Sequence, residues 1–272
     1  MNPNKALWEK GDFTRIAESM RESGEDVVRH AGITPGMKVL DLGCGDGTTA
    51  IPAAKLGAKV TGVDIAANLV AGGNRRAAQA GLQATCHFIE GDACDLGSIE
   101  NKTFDRVVSI FGAMFAPKPF DVAREMVRVT KPGGRIIMGN WIPNDPTLVA
   151  QILKISAAYS PPPPEGFISP MAWGAPTNVT ERFGAAGIAW EGITCERDSY
   201  VFDFKGTPAQ FVDTFRQYYG PTMNAFDAAG KEDKADQLRQ ELVALFESQN
   251  QCQYPGHTLI AATYLKVTVM VG

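Results

Sequence analysis

The chain has 272 residues, a formal net charge of −4, and 44% hydrophobic and 21% charged side chains. That is length for one large domain, or a domain carrying a sizeable insertion, in an ordinary globular composition that excludes wholesale disorder and a low-complexity fibre. An acidic balance supplies no field to neutralise many phosphates, so polymeric nucleic acid is not expected as a partner.

No run of about 18 apolar residues occurs, and the first residues hold no apolar core behind a basic patch, so a cytoplasmic protein with no membrane span is expected. Cys44, Cys86, Cys94, Cys195 and Cys252 are scattered, without a C-x-x-C pair, and no His-x-x-x-His accompanies them. Neither a disulfide framework nor a metal site is expected.

Residues 1–35 carry apolar side chains at helical spacing (Leu7, Trp8, Ile16, Met20, Val27, Val28) and stop near Gly32, which predicts two N-terminal helices. From 36 to 142, short β-branched runs at 38–42, 59–64, 86–89, 104–111 and 135–141 alternate with helical stretches at 48–56, 66–80 and 120–130. Such alternation predicts βαβ units and a parallel sheet with helices on both faces. The rhythm breaks after Trp141. A helix is expected at 149–159, then a stiff spacer at the four prolines 161–164. Asn178 and Glu181 have capping-box spacing for a short helix ending at Gly187. A long strand is expected at 193–204, a helix capped by Thr207 and Pro208 through Tyr219, a charged helix at 232–249, and a last strand at 258–271.

The chemistry concentrates in Asp41-Leu-Gly43-Cys-Gly45-Asp-Gly47, directly after the first strand and opening a helix, where glycines let backbone N–H groups approach a ligand. The third glycine comes one residue too early for the G-x-G-x-x-G dinucleotide fingerprint, with Thr48 where that pattern ends. Asp64 follows about 20 residues after Gly43 at the end of the second strand, placed to accept hydrogen bonds from both hydroxyls of an unphosphorylated ribose. Asp92, after the third strand, can accept from an adenine amino group.

Residues 39–64 (VLDLGCGDGTTAIPAAKLGAKVTGVD), with GDA, FDRVVSIFG and RVTKPGGRIIMGNW, resemble the class I S-adenosylmethionine-dependent methyltransferases over about residues 36–142. The nearest look is to the small-molecule branch that includes ubiquinone and menaquinone C-methyltransferases. The resemblance implies a Rossmann-like seven-stranded, mostly parallel sheet with an antiparallel last strand. It implies S-adenosyl-L-methionine as cofactor, with Asp41, Gly43 and Gly45 around its amino-acid end. Asp64 would then meet the ribose, Ile65 the adenine face, Asp92 and Ala93 the adenine edge, and Ser109 and Ile110 the methionine part. The fourth strand ends Ser109-Ile-Phe-Gly112, not the Asn/Asp-Pro-Pro-aromatic set of methyltransferases acting on amino groups in nucleic acids and proteins. A small-molecule acceptor is expected.

On that fold the antiparallel last strand begins at the ligand-binding rim, which makes His257, just before it, the candidate general base. The same rim collects Phe111, Met114 and Phe115 after the fourth strand, Asn140 and Trp141 after the fifth, and Asp203 and Phe204 after the sixth. Segments 143–187 and 206–256 are expected to form a helical cap over the pocket, with 188–205 and 257–272 completing the sheet. The cap brings aromatics (Phe167, Trp173, Phe211, Phe215, Tyr218, Tyr219, Phe226), which favour an apolar or aromatic acceptor. Of these, Trp173, Tyr218 and Tyr219 are taken as pocket residues. A non-methyl transferase or cyclase using the same cofactor, and a protein that binds it without turnover, stand as alternatives. A nicotinamide oxidoreductase is disfavoured by the glycine spacing. Acceptor atom and oligomeric state are left open.

Overall fold

A computed structural model describes residues 4–272. Strands β1 (Lys38–Leu42), β2 (Lys59–Asp64), β3 (Cys86–Glu90), β4 (Phe104–Ile110), β5 (Thr130–Trp141), β6 (Ile193–Phe204) and β7 (Thr258–Met270) form one sheet in the order β3-β2-β1-β4-β5-β7-β6. Strands β1 to β5 pair in parallel, and β7 lies antiparallel between β5 and β6. The seven-stranded sheet with a reversed last strand is the architecture expected from the sequence.

The two-residue side-chain period of a strand sorts β1, β4 and β5 between two faces. Val39, Val108 and Ile137 join a cluster with Ala50, Ile51, Ala53 and Ala54 of α4 (Ala50–Lys55) and Ala77 of α5 (Ala67–Gln79). Leu40, Leu42, Val107, Ile136 and Met138 join the larger cluster with Val122, Met126 and Val129 of α6 (Pro119–Val129). A strand buried on both faces has to be apolar on both, and β1 reads that way.

Three helices precede the sheet, α1 (Asn4–Glu9), α2 (Thr14–Ala17) and α3 (Arg21–His30), with a 3-10 turn at Glu18–Met20 between the last two. After β5 come α7 (Leu148–Ala158) and α8 (Pro176–Ala185); after β6 come α9 (Pro208–Tyr218), α10 (Gly220–Gly230) and α11 (Ala235–Gln249). Helices α7, α9, α10 and α11 pack on one another, whereas α8 packs against α6. The segment expected as one cap at 143–187 therefore divides, and only its first helix turns towards the ligand rim.

Thr207 forms the expected cap of α9: its Oγ1 accepts from the Gln210 N–H at 3.3 Å and Gln210 Oε1 accepts from the Thr207 N–H at 2.8 Å. The capping box expected at Asn178 does not form. Pro176 starts α8 two residues earlier, since its fixed φ and missing N–H suit a first helical position, and Asn178 Nδ2 donates instead to the Ala172 carbonyl at 2.9 Å.

Candidate active site

Strand order reverses between β1 and β4, and in open α/β sheets the crevice beyond the carboxyl ends of such a pair is where ligands bind. The backbone is drawn tight there. Gly43 has φ +68°, and its N–H and that of Cys44 donate to the Val63 carbonyl at 2.8 and 3.1 Å. Opposite it, a Cβ on Gly112 would lie 2.2 Å from the Gly43 oxygen, so the turns after β1 and β4 touch through bare backbone. The close approach is accompanied by Phe111 at φ +61°, a conformation that an aromatic residue adopts only when its surroundings over-determine it. Its ring is clamped by stacking on Trp141 (centroids 3.6 Å apart) and by edge contacts with Tyr200 and Tyr264.

Around this contact opens a cavity of about 1270 Å³, counted out to its mouth. One end is polar. Asp64 is buried, with Oδ2 accepting from the Gly45 N–H at 2.8 Å and Oδ1 from the Ala66 N–H at 2.9 Å. Burial raises its pKa above the usual carboxylate range, against the lowering effect of those amide donors. Asp46 is paired on both oxygens with Arg21 of α3 (2.9 and 2.5 Å), while Arg76 of α5 donates to its carbonyl at 2.6 Å. These arginines tie the glycine turn to two helices. Asp92 and Ala93 line the same end, where Asp92 Oδ1 accepts from the Cys94 N–H at 2.9 Å.

The other end is apolar. Trp8, Phe13, Ile16 and Met20 from the N-terminal helices close over it, facing Val149, Ile152 and Leu153 of α7, Tyr200 and Phe202 of β6, and Phe215 and Tyr219 of the α9–α10 junction. Trp8 is wedged edge-on against Phe115 (4.9 Å) and Phe13 (5.8 Å).

Of the residues singled out in the sequence, Gly43, Gly45, Asp64, Ile65, Asp92, Ala93, Ile110, Phe111, Phe115, Trp141 and Tyr219 are brought together in the cavity wall. Asp41 and Ser109 stand behind it. Thr49 donates to Asp41, whose pKa is raised to about 7 by burial. Ser109 Oγ donates to the Leu42 carbonyl at 2.6 Å and accepts from the Ala113 N–H at 2.9 Å, bracing β4 against β1. Met114, Asn140 and Trp173 are buried outside the wall. Tyr218 is half-buried, near the Arg15 guanidinium at 6.0 Å. His257 also lies outside the wall. Its Nε2 is 2.5 Å from Asp203 Oδ1, both side chains being more than a third exposed, because β6 and β7 run on past the cavity at the sheet's edge.

The N-terminal aromatics and the Arg21–Asp46 clamp were not assigned to the site from the sequence. Locally, Trp8, Ile16 and Met20 read only as the apolar face of N-terminal helices, and nothing in the pattern links Arg21 to Asp46. Of the cap aromatics, Phe215 and Tyr219 reach the cavity, while Phe167 is 55% exposed.

Comparison with known proteins agrees with this geometry. The profile of the methyltransferase domain matches residues 40–138. Two uncharacterized proteins of Mycobacterium tuberculosis are similar, one 34% identical over 224 residues (82% of this chain, 79% of the relative), the other 33% identical over 267 residues (97% and 93%). A sterol 4-C-methyltransferase of Caenorhabditis elegans is 32% identical over 133 residues, 49% of this chain and 40% of that enzyme. Among solved structures, the YcgJ protein from Bacillus subtilis shares the fold at a TM-score of 0.59 and 17% identity, covering 91% of this chain and 97% of its own. The chain belongs to the class I S-adenosylmethionine-dependent methyltransferases.

Proposed function

We propose that the protein transfers a methyl group from S-adenosyl-L-methionine to a small, largely apolar metabolite, by alignment more than by acid–base chemistry. One observation carries this reading: the cavity is divided into a polar end at the switch point and a contiguous aromatic end. The residues present fit the cofactor. Gly43 to Gly45 leave backbone bare, and each Asp64 oxygen has accepted one N–H and keeps a lone pair for a ribose hydroxyl. Asp92 stands at the base edge.

When bound, the cofactor supplies an activated methyl group on a positively charged sulfur. The chain's own contribution is position. Phe111 and Trp141, stacked on each other in the cavity wall, fix the aromatic surface beside the glycine turn. Among the described residues, the carboxylates of the wall are Asp46, Asp64 and Asp92, all at the polar end, and no histidine, lysine or glutamate lines it. Holding the reactants in line is worth up to about 7–11 kcal/mol in well-oriented systems, and it suits an acceptor atom that needs no protein base to react. The sterol methyltransferase relative, by its name an enzyme of a bulky apolar acceptor, supports the same substrate class.

The test is incubation of the protein with labelled cofactor and a panel of terpenoid, polycyclic and aromatic acceptors, followed by product mass. A gain of one methyl on an apolar acceptor is expected. A different mass increment, an isomerised product without increment, or transfer confined to charged acceptors contradicts the proposal.

A further inference from the structure

Tyr219 sits where α9 ends and α10 begins, 7% exposed, in the apolar end of the cavity. Its ring has little freedom, being edge-on to Phe215 at 5.4 Å and tilted against Trp8 at 5.9 Å and Phe13 at 6.1 Å. Its hydroxyl is the anomaly. The other two buried tyrosines have partners: Tyr200 donates to the Met20 carbonyl at 3.0 Å and Tyr264 to Asp198 at 3.2 Å. Tyr219 makes no hydrogen bond to any described residue, and burial alone pushes its pKa up. An apolar wall has no use for a hydroxyl. Unlike the sealed Trp173 indole N–H and Thr222 hydroxyl, the Tyr219 oxygen keeps accessible surface in the cavity wall, so it is a polar group with no protein partner that a ligand can reach and complete.

We propose that the Tyr219 hydroxyl is the polar anchor of the acceptor site, and that the acceptor is a neutral lipophilic molecule carrying one hydrogen-bonding oxygen, a hydroxyl or carbonyl, which Tyr219 grips to fix its register along the cavity. This rests on the reading that the aromatic end holds the acceptor. It adds a specificity that shape alone does not give, because an apolar slot accepts hydrophobic isosteres with little discrimination. Tyr219 is a positioning residue here. A rigid phenol, free to donate to a carbonyl or accept from a hydroxyl, sets which atom of a featureless molecule comes to rest opposite the cofactor.

The experiment uses the full chain loaded with S-adenosylhomocysteine and two nearly isosteric probes, 2-naphthol and 2-methylnaphthalene, with affinities measured by equilibrium dialysis for the wild type and Tyr219→Phe. The preference for 2-naphthol over 2-methylnaphthalene is expected to fall about five- to tenfold in the variant, the range of one hydrogen bond. Affinity for 2-methylnaphthalene and for S-adenosylhomocysteine should stay within about twofold. An unchanged preference overturns the anchor. Loss of S-adenosylhomocysteine binding in Tyr219→Phe also overturns it, by giving the hydroxyl to the cofactor site. If the loaded wild type binds neither probe, the reading of the aromatic end fails first and the anchor with it.

Discussion

Asp41 and Asp64 stand at the carboxyl ends of neighbouring strands, paired in the register Asp41↔Gly62, and both are buried. Their surroundings differ in purpose. Asp64 accepts from one N–H of the turn after β1 and one of its own turn after β2 and lines the cavity, whereas Asp41 is enclosed with Thr49 behind the glycine turn. With its pKa raised to about 7, Asp41 keeps its proton in the folded chain after the unfolded chain has lost it near pH 4. The folded state therefore binds more protons between about pH 4 and 7, so this group's contribution to stability falls as pH rises through that window and is level above it. Asp41→Asn removes the effect. Urea unfolding at pH 5 and pH 8 should show the variant gaining about 2 kcal/mol on the wild type over that interval. A pH-independent difference would mean that Asp41 is ionised throughout. At this scale the sequence spoke where chemistry is local. The tight turn at Gly43 and Gly45 is legible because strand, turn and helix occur in one run, whereas Asp41 of the same run stands behind the cavity wall with Thr49. His257 was placed on a rim by topology alone, and topology does not say how far along the sheet's edge a residue falls.

Among the elements, α1 brings Asn4 and Trp8 to the cavity wall. Six residues long, it is too short to be stable alone, and it is held by seating on α10 and α5. A Cβ on Gly220 would come 2.3 Å from the Leu7 carbonyl oxygen. Gly220→Ala should therefore lift α1 from its seat while leaving the sheet intact. Trypsin cleavage after Lys5 and Lys10 should quicken by about tenfold, as for a segment with a lowered local opening energy, with little change in melting temperature. Unchanged cleavage would show that α1 is held elsewhere. Helix α10 itself escaped the sequence reading because glycines at both ends and an alanine-rich middle give a weak apolar stripe. Helix α9 is legible from Thr207 and Pro208, and the structure adds Gln210 to complete the cap within four residues. The expected cap at 143–187 split for a similar reason: periodicity says that α7 and α8 have apolar faces, not which face of the sheet each one meets.

For the molecule as a whole, alternation of strand and helix is enough to imply a parallel sheet covered on both faces, while the seven strands with a reversed last one follow from the family resemblance. The polar end of the cavity came with it, built from turns that follow successive strands. The aromatic end did not. Trp8, Val149, Phe202 and Tyr219 meet only because the chain's first helices fold back over elements added after β5, contacts with no trace in local pattern. The most direct measurement is calorimetric titration of the protein and of Asp64→Ala with S-adenosylhomocysteine. The expected result is one molecule bound per chain, with affinity lower by about 10- to 100-fold in the variant, as for loss of hydrogen bonds to a buried carboxylate. No binding by the wild type, or equal binding by both proteins, would contradict the assignment of the polar end as the cofactor site.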